Sequence, residues 1–163
     1  MPAGIGTGPA CALAQACGTE FDKAYVLDMY QQNADVAALA AYGVQHVTSG
    51  DLRSLSGKIV NERNDVTSKL AGWYTQLACG PIPCVNSDRV DTIIASLSGC
   101  CGCEFDRKYA AAMVQLMAQT MDADNLGLQR LTRPEIKNQA QLQVRTNYNE
   151  INAFNRFLQT GHV

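Results

Sequence analysis

The stretch Cys17-Gly-Thr-Glu-Phe-Asp-Lys-Ala-Tyr25 returns as Cys101-Gly-Cys-Glu-Phe-Asp-Arg-Lys-Tyr109, with every shared residue displaced by 84 positions. Beyond it, residues 21–74 and 105–158 stay in register without a gap. In each copy apolar residues recur at steps of three and four, which predicts one long helix, a turn and a second long helix. Two such hairpins supply four helices, the smallest set that buries its apolar stripes around one axis. The repeat therefore predicts an all-α four-helix bundle.

Breaks in this pattern divide the chain into four parts. Thr48-Ser49-Gly50 is the predicted turn of the first hairpin, and Cys79-Gly-Pro-Ile-Pro-Cys84 ends it, because two prolines and a glycine cannot continue a helix. We predict a Gly- and Pro-rich N-terminal segment at 1–18, the first hairpin at 19–80, a linker with a short helix at 81–102, and the second hairpin at 103–163.

Three helix starts have recognisable capping residues. Thr19 is the predicted N-cap of the first long helix, with Asp22 as a weak capping box. Asn86 or Ser87 caps the linking helix, which Gly99 stops. Thr132 is the predicted N-cap of the last helix, with a proline in the first turn.

The charge and the apolar runs of the sequence argue against nucleic acid and membrane as partners. The formal net charge is −2 and the pI about 5.6, with lysine and arginine scattered along the chain. These values indicate no basic patch that would bind nucleic acid or an anionic membrane. No apolar run reaches the roughly 20 residues of a membrane span, and residues 1–8 lack the parts of a signal peptide. We therefore expect no nucleic acid partner and no membrane span, and a chain that either is not exported or is numbered after processing.

Seven cysteines favour export, since cytosolic proteins of this size rarely carry so many without a metal motif. Their spacing does not fit zinc, which prefers Cys-x-x-Cys pairs and usually histidine. We predict an extracytoplasmic protein with disulfides at the ends of the bundle. Their pairing is unknown, and the odd number of cysteines leaves one thiol unpaired. A bond between Cys79 and Cys84 would fix the chain where the first hairpin ends. The cysteines are Cys11, Cys17, Cys79, Cys84, Cys100, Cys101 and Cys103.

Each copy resembles the bacterial and algal family known as domain of unknown function 305, a ferritin-like helical hairpin. Its first helix reads Phe-Asp-x-x-[Phe/Tyr] and then Met-x-x-His-His, and its second carries Ile, Glu-Ile, Trp and Leu at packing positions. The matching residues are Phe21, Asp22, Tyr25, Met29, Ile59, Val60, Leu70 and Trp73 in the first copy, and Phe105, Asp106, Tyr109, Met113, Ala140, Glu150, Ile151, Phe154, Phe157 and Leu158 in the second. The resemblance covers about two thirds of the chain and implies a ferritin-like bundle built from two hairpins.

The resemblance also implies a metal, because some members of that family are linked to periplasmic copper through such His and Met residues. This chain has Gln32-Asn33 and Leu116-Met117 where the family has paired histidines, and Val66 where the first copy would carry its glutamate. The inward carboxylates and histidines of a ferritin di-iron centre are therefore absent.

Methionines offer another set of metal donors. Met113, Met117 and Met121 recur at steps of four, and Met29 is the counterpart of Met113 in the first copy. Thioethers suit Cu(I), a soft ion that accepts few ligands. The more ordinary interpretation is that the methionines fill the core.

Polar residues interrupt the middle of the apolar stripes at Gln32, Asn33, Arg63 and Asn147. They are predicted to form either a cavity for a small ligand or water, or a satisfied hydrogen-bond network that sets helix register. We favour the network.

No enzyme class has a complete residue set in this sequence. His46 and His162 have no matching base or nucleophile nearby. Cys101-Gly-Cys103 lacks the Cys-x-x-Cys spacing of a redox motif. We therefore expect a non-catalytic structural protein without a cofactor, which assembles into a homo-oligomer or a larger assembly through its terminal segments, above all 1–16. The alternative is a small extracytoplasmic metal-binding protein that holds copper on the methionine row.

Overall fold

The computed structural model describes residues 18–163 of the chain. The predicted assembly segment 1–16, Cys11 and Cys17 lie outside this range. The described part is all-helical and contains no strand, which confirms the all-α part of the prediction. Its helices are α1 (Gly18–His46), α2 (Gly50–Ala78), α3 (Asp88–Leu97), α4 (Gly102–Arg130) and α5 (Pro134–Thr160).

The four long helices pack side by side as two hairpins, α1 with α2 and α4 with α5. Short turns join α1 to α2 and α4 to α5, and each of these pairs is in extensive contact. Helix α1 also packs against α4, while α3 lies over both and is held by Arg89, which bonds Asp35 on α1 and Gln119 on α4. The start of α1 lies at the end of α4, so these two helices run antiparallel.

Two aspartates cap helices of the opposite pair. Asp22 on α1 accepts hydrogen bonds from Thr132 N, Thr132 Oγ1 and Arg133 N at 2.7–3.0 Å, at the start of α5. Asp106 on α4 accepts the equivalent three from Thr48 and Ser49, at the start of α2, at 2.7–2.9 Å. Because 22 and 106, and 48 and 132, differ by 84, the two caps are equivalent in the repeat.

These caps correct two predictions about helix starts. Thr19 lies inside α1, which begins at Gly18, and Asp22 caps α5 instead of its own helix. Arg133 rather than Thr132 is the N-cap of α5, and its own side chain makes no capping bond. The orphan N–H groups at that end are satisfied by a carboxylate from a distant part of the chain.

The core consists of two apolar clusters with polar residues between them. One cluster lies where α1 ends and α4 begins and contains Leu39, Phe105 and Phe154. The other lies where α1 begins and α4 ends and contains Phe21, Leu70 and Ile136. The long helices are thus apolar towards their ends and polar in the middle, as the stripes predict.

Candidate functional site

The structure does not bring the four predicted methionine ligands together. Met113 and Met117 on α4 are fully buried in the first apolar cluster, whereas Met29 is buried in the second. Met121 is half-buried and lines a surface hollow between α4 and α5 beside Tyr148. The row therefore divides among two parts of the core and one part of the surface, and the three buried members pack as ordinary core residues.

A second group of sulfur donors lies at the start of α4. Cys100 precedes this helix, Cys101 is its N-cap, and Cys103 lies in its first turn; Cys101 and Cys103 are exposed. Lys108 places its ammonium 3.3 Å from Cys100 Sγ and 3.1 Å from Glu104. Three thiols thus fall within four residues, and the Lys108 ammonium lies beside one of them.

His46 lies at the same end of the molecule, because α1 ends where α4 begins. Its ring stacks on Tyr42 with centroids 4.0 Å apart and lies 6.0 Å from the ring of Phe105. Nδ1 is 2.8 Å from the Tyr42 carbonyl oxygen, which can only accept, so Nδ1–H donates this bond. The bond leaves the Nε2 lone pair for another partner, an arrangement common in metal-binding histidines.

The five cysteines in the described range are free in this structure. The predicted corner bond between Cys79 and Cys84 is not formed, and both thiols are exposed. Cys79 directly follows α2, at the end of the molecule opposite Cys100. Pairing with Cys11 or Cys17 stays a prediction. Within residues 18–163, no three His, Cys, Asp or Glu side chains are grouped so that they could hold a metal ion as they stand.

The polar middle layer centres on Arg63, whose side chain is fully buried. Its Nη2 donates to Asn147 Oδ1 at 2.8 Å and forms a short ion pair with Glu150. Asn147 Nδ2 in turn lies 3.4 Å from Asp124 Oδ2, and Tyr25 donates to Asp124 Oδ1 at 2.5 Å. Positions 63 and 147 differ by 84, so Arg63 meets its own counterpart in the repeat.

The predicted partners of Arg63 on α1 bond elsewhere. Gln32 donates to Asp28 at 2.7 Å, and Asn33 donates to the backbone carbonyl of Met29 at 2.8 Å. Sequence reasoning missed Asp124 and Tyr25 as members of the layer. Asp124 follows Thr120 by four residues and so lies on the buried stripe of α4, which is the signal that could have identified it.

Four carboxyl groups have raised pKa values, those of Asp28, Asp35, Asp124 and Glu150. Burial raises the pKa of Asp28 to about 6, and those of Asp124 and Glu150 to about 7. Arg63 counteracts burial at Asp124 and Glu150, but Asp28 opposes it at Asp124, and the Glu62 carboxyl opposes it at Glu150. The single buried guanidinium of Arg63 therefore faces more carboxyl groups than it can neutralise.

The hydrogen bonds among the described residues do not satisfy every polar atom of the middle layer. Buried polar atoms without a hydrogen-bond partner in the described part of the chain include Arg63 Nε and Nη1, Gln32 Oε1, Asn33 Oδ1, Gln139 Nε2, Gln143 Oε1 and Glu150 Oε1. Each such atom is costly unless a water or a ligand meets it.

Comparisons with known proteins identify the fold. No family model matches the sequence, and no curated protein matches it significantly. Among solved structures, CopM in the Cu(II)-bound form has a TM-score of 0.77 at 17% identity, over 86% of this chain and 97% of that one. CopM in the Cu(I)-bound form has a TM-score of 0.76 at 18% identity, over 87% and 98%. CopM in the Ag-bound form, obtained by soaking, has a TM-score of 0.75 at 19% identity, over 85% and 94%.

At these identities the likeness is one of fold, and it extends over nearly the whole of each chain. It corrects the prediction that the protein has no cofactor, because the matched proteins were solved with Cu(I), Cu(II) and Ag bound. None of the described helices is long and apolar enough to cross a membrane.

Proposed function

We propose that the protein binds Cu(I) through cysteine sulfur at the end of the molecule where α1 ends and α4 begins. The observation that carries the proposal is the near full-length fold likeness to proteins solved with copper and silver bound. Silver(I) and Cu(I) are both soft monovalent ions, so sulfur donors are where such an ion is expected in this chain.

The donor chemistry of this end supports the proposal. Cys100, Cys101 and Cys103 offer three thiols, and His46 has an Nε2 free to coordinate. The two exposed thiols flank Gly102, whose φ of +58° is a conformation that glycine adopts without strain. Because Cu(I) accepts two or three ligands, part of this set would suffice, and the metal would draw the thiols together as it binds.

The buried methionines are less suited to the same role. Met113 and Met117 are 0% exposed and surrounded by apolar side chains. An ion at that position would have to lose all its water and displace packed side chains. The thiols at the start of α4 require no such displacement, which is why we prefer them.

Two coarser features accompany this proposal. The four long helices are interpreted as one ferritin-like bundle of two repeated hairpins, which the equivalent caps of Asp22 and Asp106 support. We also keep the predicted extracytoplasmic location, in which Cys11, Cys17, Cys79 and Cys84 are the cysteines left to form disulfides. Assembly through residues 1–16 stays a prediction that subunit mass can test.

Anaerobic titration of the reduced protein with Cu(I), read by native mass and by competition with a chromogenic Cu(I) chelator, tests the proposal. We expect one or more ions per chain in the parent protein. The triple variant Cys100→Ser, Cys101→Ser, Cys103→Ser should lose this binding. Cys79→Ser with Cys84→Ser is the matched control, because it removes exposed thiols outside the proposed site.

A second variant separates the two kinds of sulfur donor. Met113→Leu with Met117→Leu should leave Cu(I) binding unchanged, since leucine and methionine are close in volume and the fold should persist. Loss of binding in this variant, with retention in the triple serine variant, would move the site to the methionine row. A parent protein that takes up no Cu(I) would overturn the proposal, and the same spectra report whether the chain is monomeric.

A further inference from the structure

Helix α3 covers one half of the face that α1 and α4 form together. Val90 and Leu97 of α3 are 2% and 3% exposed and belong to the first apolar cluster, where α1 ends and α4 begins. At the start of α3, Arg89 bonds Asp35 on α1 and Gln119 on α4. Positions 35 and 119 are equivalent in the repeat, so Arg89 lies at the centre of this face. Helix α3 therefore extends from the centre over the half next to the first cluster.

The internal repeat gives α3 a counterpart before the first copy. Displaced by 84 positions, α3 corresponds to residues 4–13, and Leu97 corresponds to Leu13. The match continues where the long helix begins, because Cys101-Gly102 corresponds to Cys17-Gly18. Residues 4–13 thus precede α1 at the same distance in the chain as α3 precedes α4.

The packing of the long helices follows the same repeat. The ring of Tyr109 lies against Gly43, and the ring of Tyr25 lies against the equivalent Gly127. The two caps between the hairpins are equivalent as well. The counterpart of α3 is therefore expected on the other half of the α1–α4 face, next to the second apolar cluster.

Apolar side chains lie on that other half of the face. Leu27 on α1 precedes Gln31 by one turn, and Gln31 exchanges hydrogen bonds of 2.6 and 2.7 Å with Asn86 just before α3. Leu126 on α4 follows Gln119 by two turns. Leu27 is 37% exposed, and Leu126 is half-buried against the second cluster. This surface, around Leu27 and Leu126, is called the second half-face.

Residues 1–17 have the composition and the length to reach this surface. They contain no Asp, Glu, Lys or Arg, which suits contact with apolar side chains. Helix α1 begins at Gly18, and Leu27 lies about 14 Å further along the helix, at 1.5 Å per residue. A chain of 17 residues spans up to about 55 Å when extended, so the second half-face lies within its reach.

We propose that residues 4–13 pack on the second half-face of their own chain. Leu13 then contacts the second apolar cluster as Leu97 contacts the first. In this arrangement the segment covers its own bundle, whereas the predicted assembly through residues 1–16 would place it on another protomer. The proposal is independent of copper binding, because it uses none of the thiols at the start of α4.

Methyl NMR of the metal-free, reduced full-length protein tests this placement. With leucine methyl groups labelled with carbon-13, we expect nuclear Overhauser contacts from Leu13 to Leu27 or Leu126. A mixture of labelled and unlabelled protein, recorded with isotope filters, separates contacts within one chain from contacts between two chains. We expect these contacts within one chain only.

Variants of the full-length protein give a second readout. Leu13→Ala should lower the urea midpoint, because it removes apolar contact with the second half-face. Leu97→Ala provides the reference, and the two shifts should have the same sign and comparable size. Thr7→Ala is the matched control and should leave the midpoint unchanged, since its counterpart Asp91 is exposed on α3.

Three outcomes would overturn this inference. The segment lies elsewhere if Leu13 shows no contact with the second half-face. Contacts seen only between labelled and unlabelled chains would make a second copy the occupant. An equal shift of the midpoint in Leu13→Ala and Thr7→Ala would show that Leu13 is not specifically packed. The contacts measured on the unmodified protein decide the matter even if a variant does not fold.

Discussion

Two glycines allow α1 and α4 to approach each other closely. A Cβ atom on Gly43 would overlap the ring of Tyr109, and one on Gly127 would overlap the ring of Tyr25. The two pairs are equivalent in the repeat, since both partners are displaced by 84 positions. At these positions the requirement is for space rather than for an unusual backbone conformation, because neither glycine has a positive φ.

Gly43→Ala should lower the free energy of unfolding by about 1–3 kcal/mol, because the added methyl group pushes a packed aromatic ring. Denaturant unfolding followed by circular dichroism measures the change. Gly72→Ala is the control: Gly72 is an exposed glycine inside α2 with open space around it. There alanine should raise stability by about 0.5–1 kcal/mol. Equal effects at both positions would contradict the steric argument.

At the scale of the helix, the starts of α2 and α5 depend on carboxylates from the opposite pair. Each of Asp22 and Asp106 accepts three hydrogen bonds, two of them from backbone N–H groups at the helix start. The aspartates are 0% and 3% exposed, so water cannot easily replace them. These contacts join the two halves of the repeat.

We expect Asp106→Ala to cost about 1–3 kcal/mol of stability, because it leaves buried donors unmatched. Asp22→Ala should cost a similar amount for the same reason. The two sites lie at opposite ends of the molecule, so the double variant should show the sum of the two losses. Asp51→Ala, an exposed aspartate in the first turn of α2, is the control and should change the unfolding midpoint little. An equal loss in the control would show that these caps contribute nothing special.

For the molecule as a whole, the buried carboxyl groups predict a dependence of stability on pH. The folded-state pKa values of Asp28, Asp124 and Glu150 are raised to about 6, 7 and 7, above their ordinary values. Such groups favour folding when protonated. Their stabilising contribution is complete below the unfolded-state values near 4, and it is lost as the pH rises through 6 to 7.

The denaturant midpoint should therefore be higher at pH 5 than at pH 8. Asp124→Asn should reduce the difference between the two conditions, because the amide stays uncharged at both pH values and its oxygen still accepts from Tyr25. Asp122→Asn, on the exposed side of α4, should leave the pH profile unchanged. A midpoint that is flat or rises between pH 5 and 8 would contradict this prediction.

Local signals in the sequence predicted the helices well. The turn at Thr48-Ser49-Gly50 falls between α1 and α2, and the linking helix begins after Ser87, one of its two predicted caps. The polar middle was also visible, because Arg63 and Asn147 interrupt apolar stripes. These features depend on residues close together in the chain, so periodicity and turn residues are sufficient to predict them.

Periodicity and turn residues do not predict the candidate sites equally well. The methionine row shares one helical spacing, but packing divides it between two apolar clusters and the surface. In the sequence, the thiols at the start of α4 indicate disulfide partners, and His46 has no matching base or nucleophile nearby. Their common position at one end of the molecule depends on the antiparallel packing of α1 against α4.

The amino-acid sequence by itself determined the all-helical class, the internal repeat and the approximate limits of each long helix, because those properties follow from local periodicity and helix-breaking residues. Only the tertiary structure decided that Asp22 and Asp106 cap helices of the opposite pair, and that Asp124 and Tyr25 join Arg63 in the middle layer. These arrangements join residues 23–111 positions apart, and such contacts are set by how the helices pack against one another.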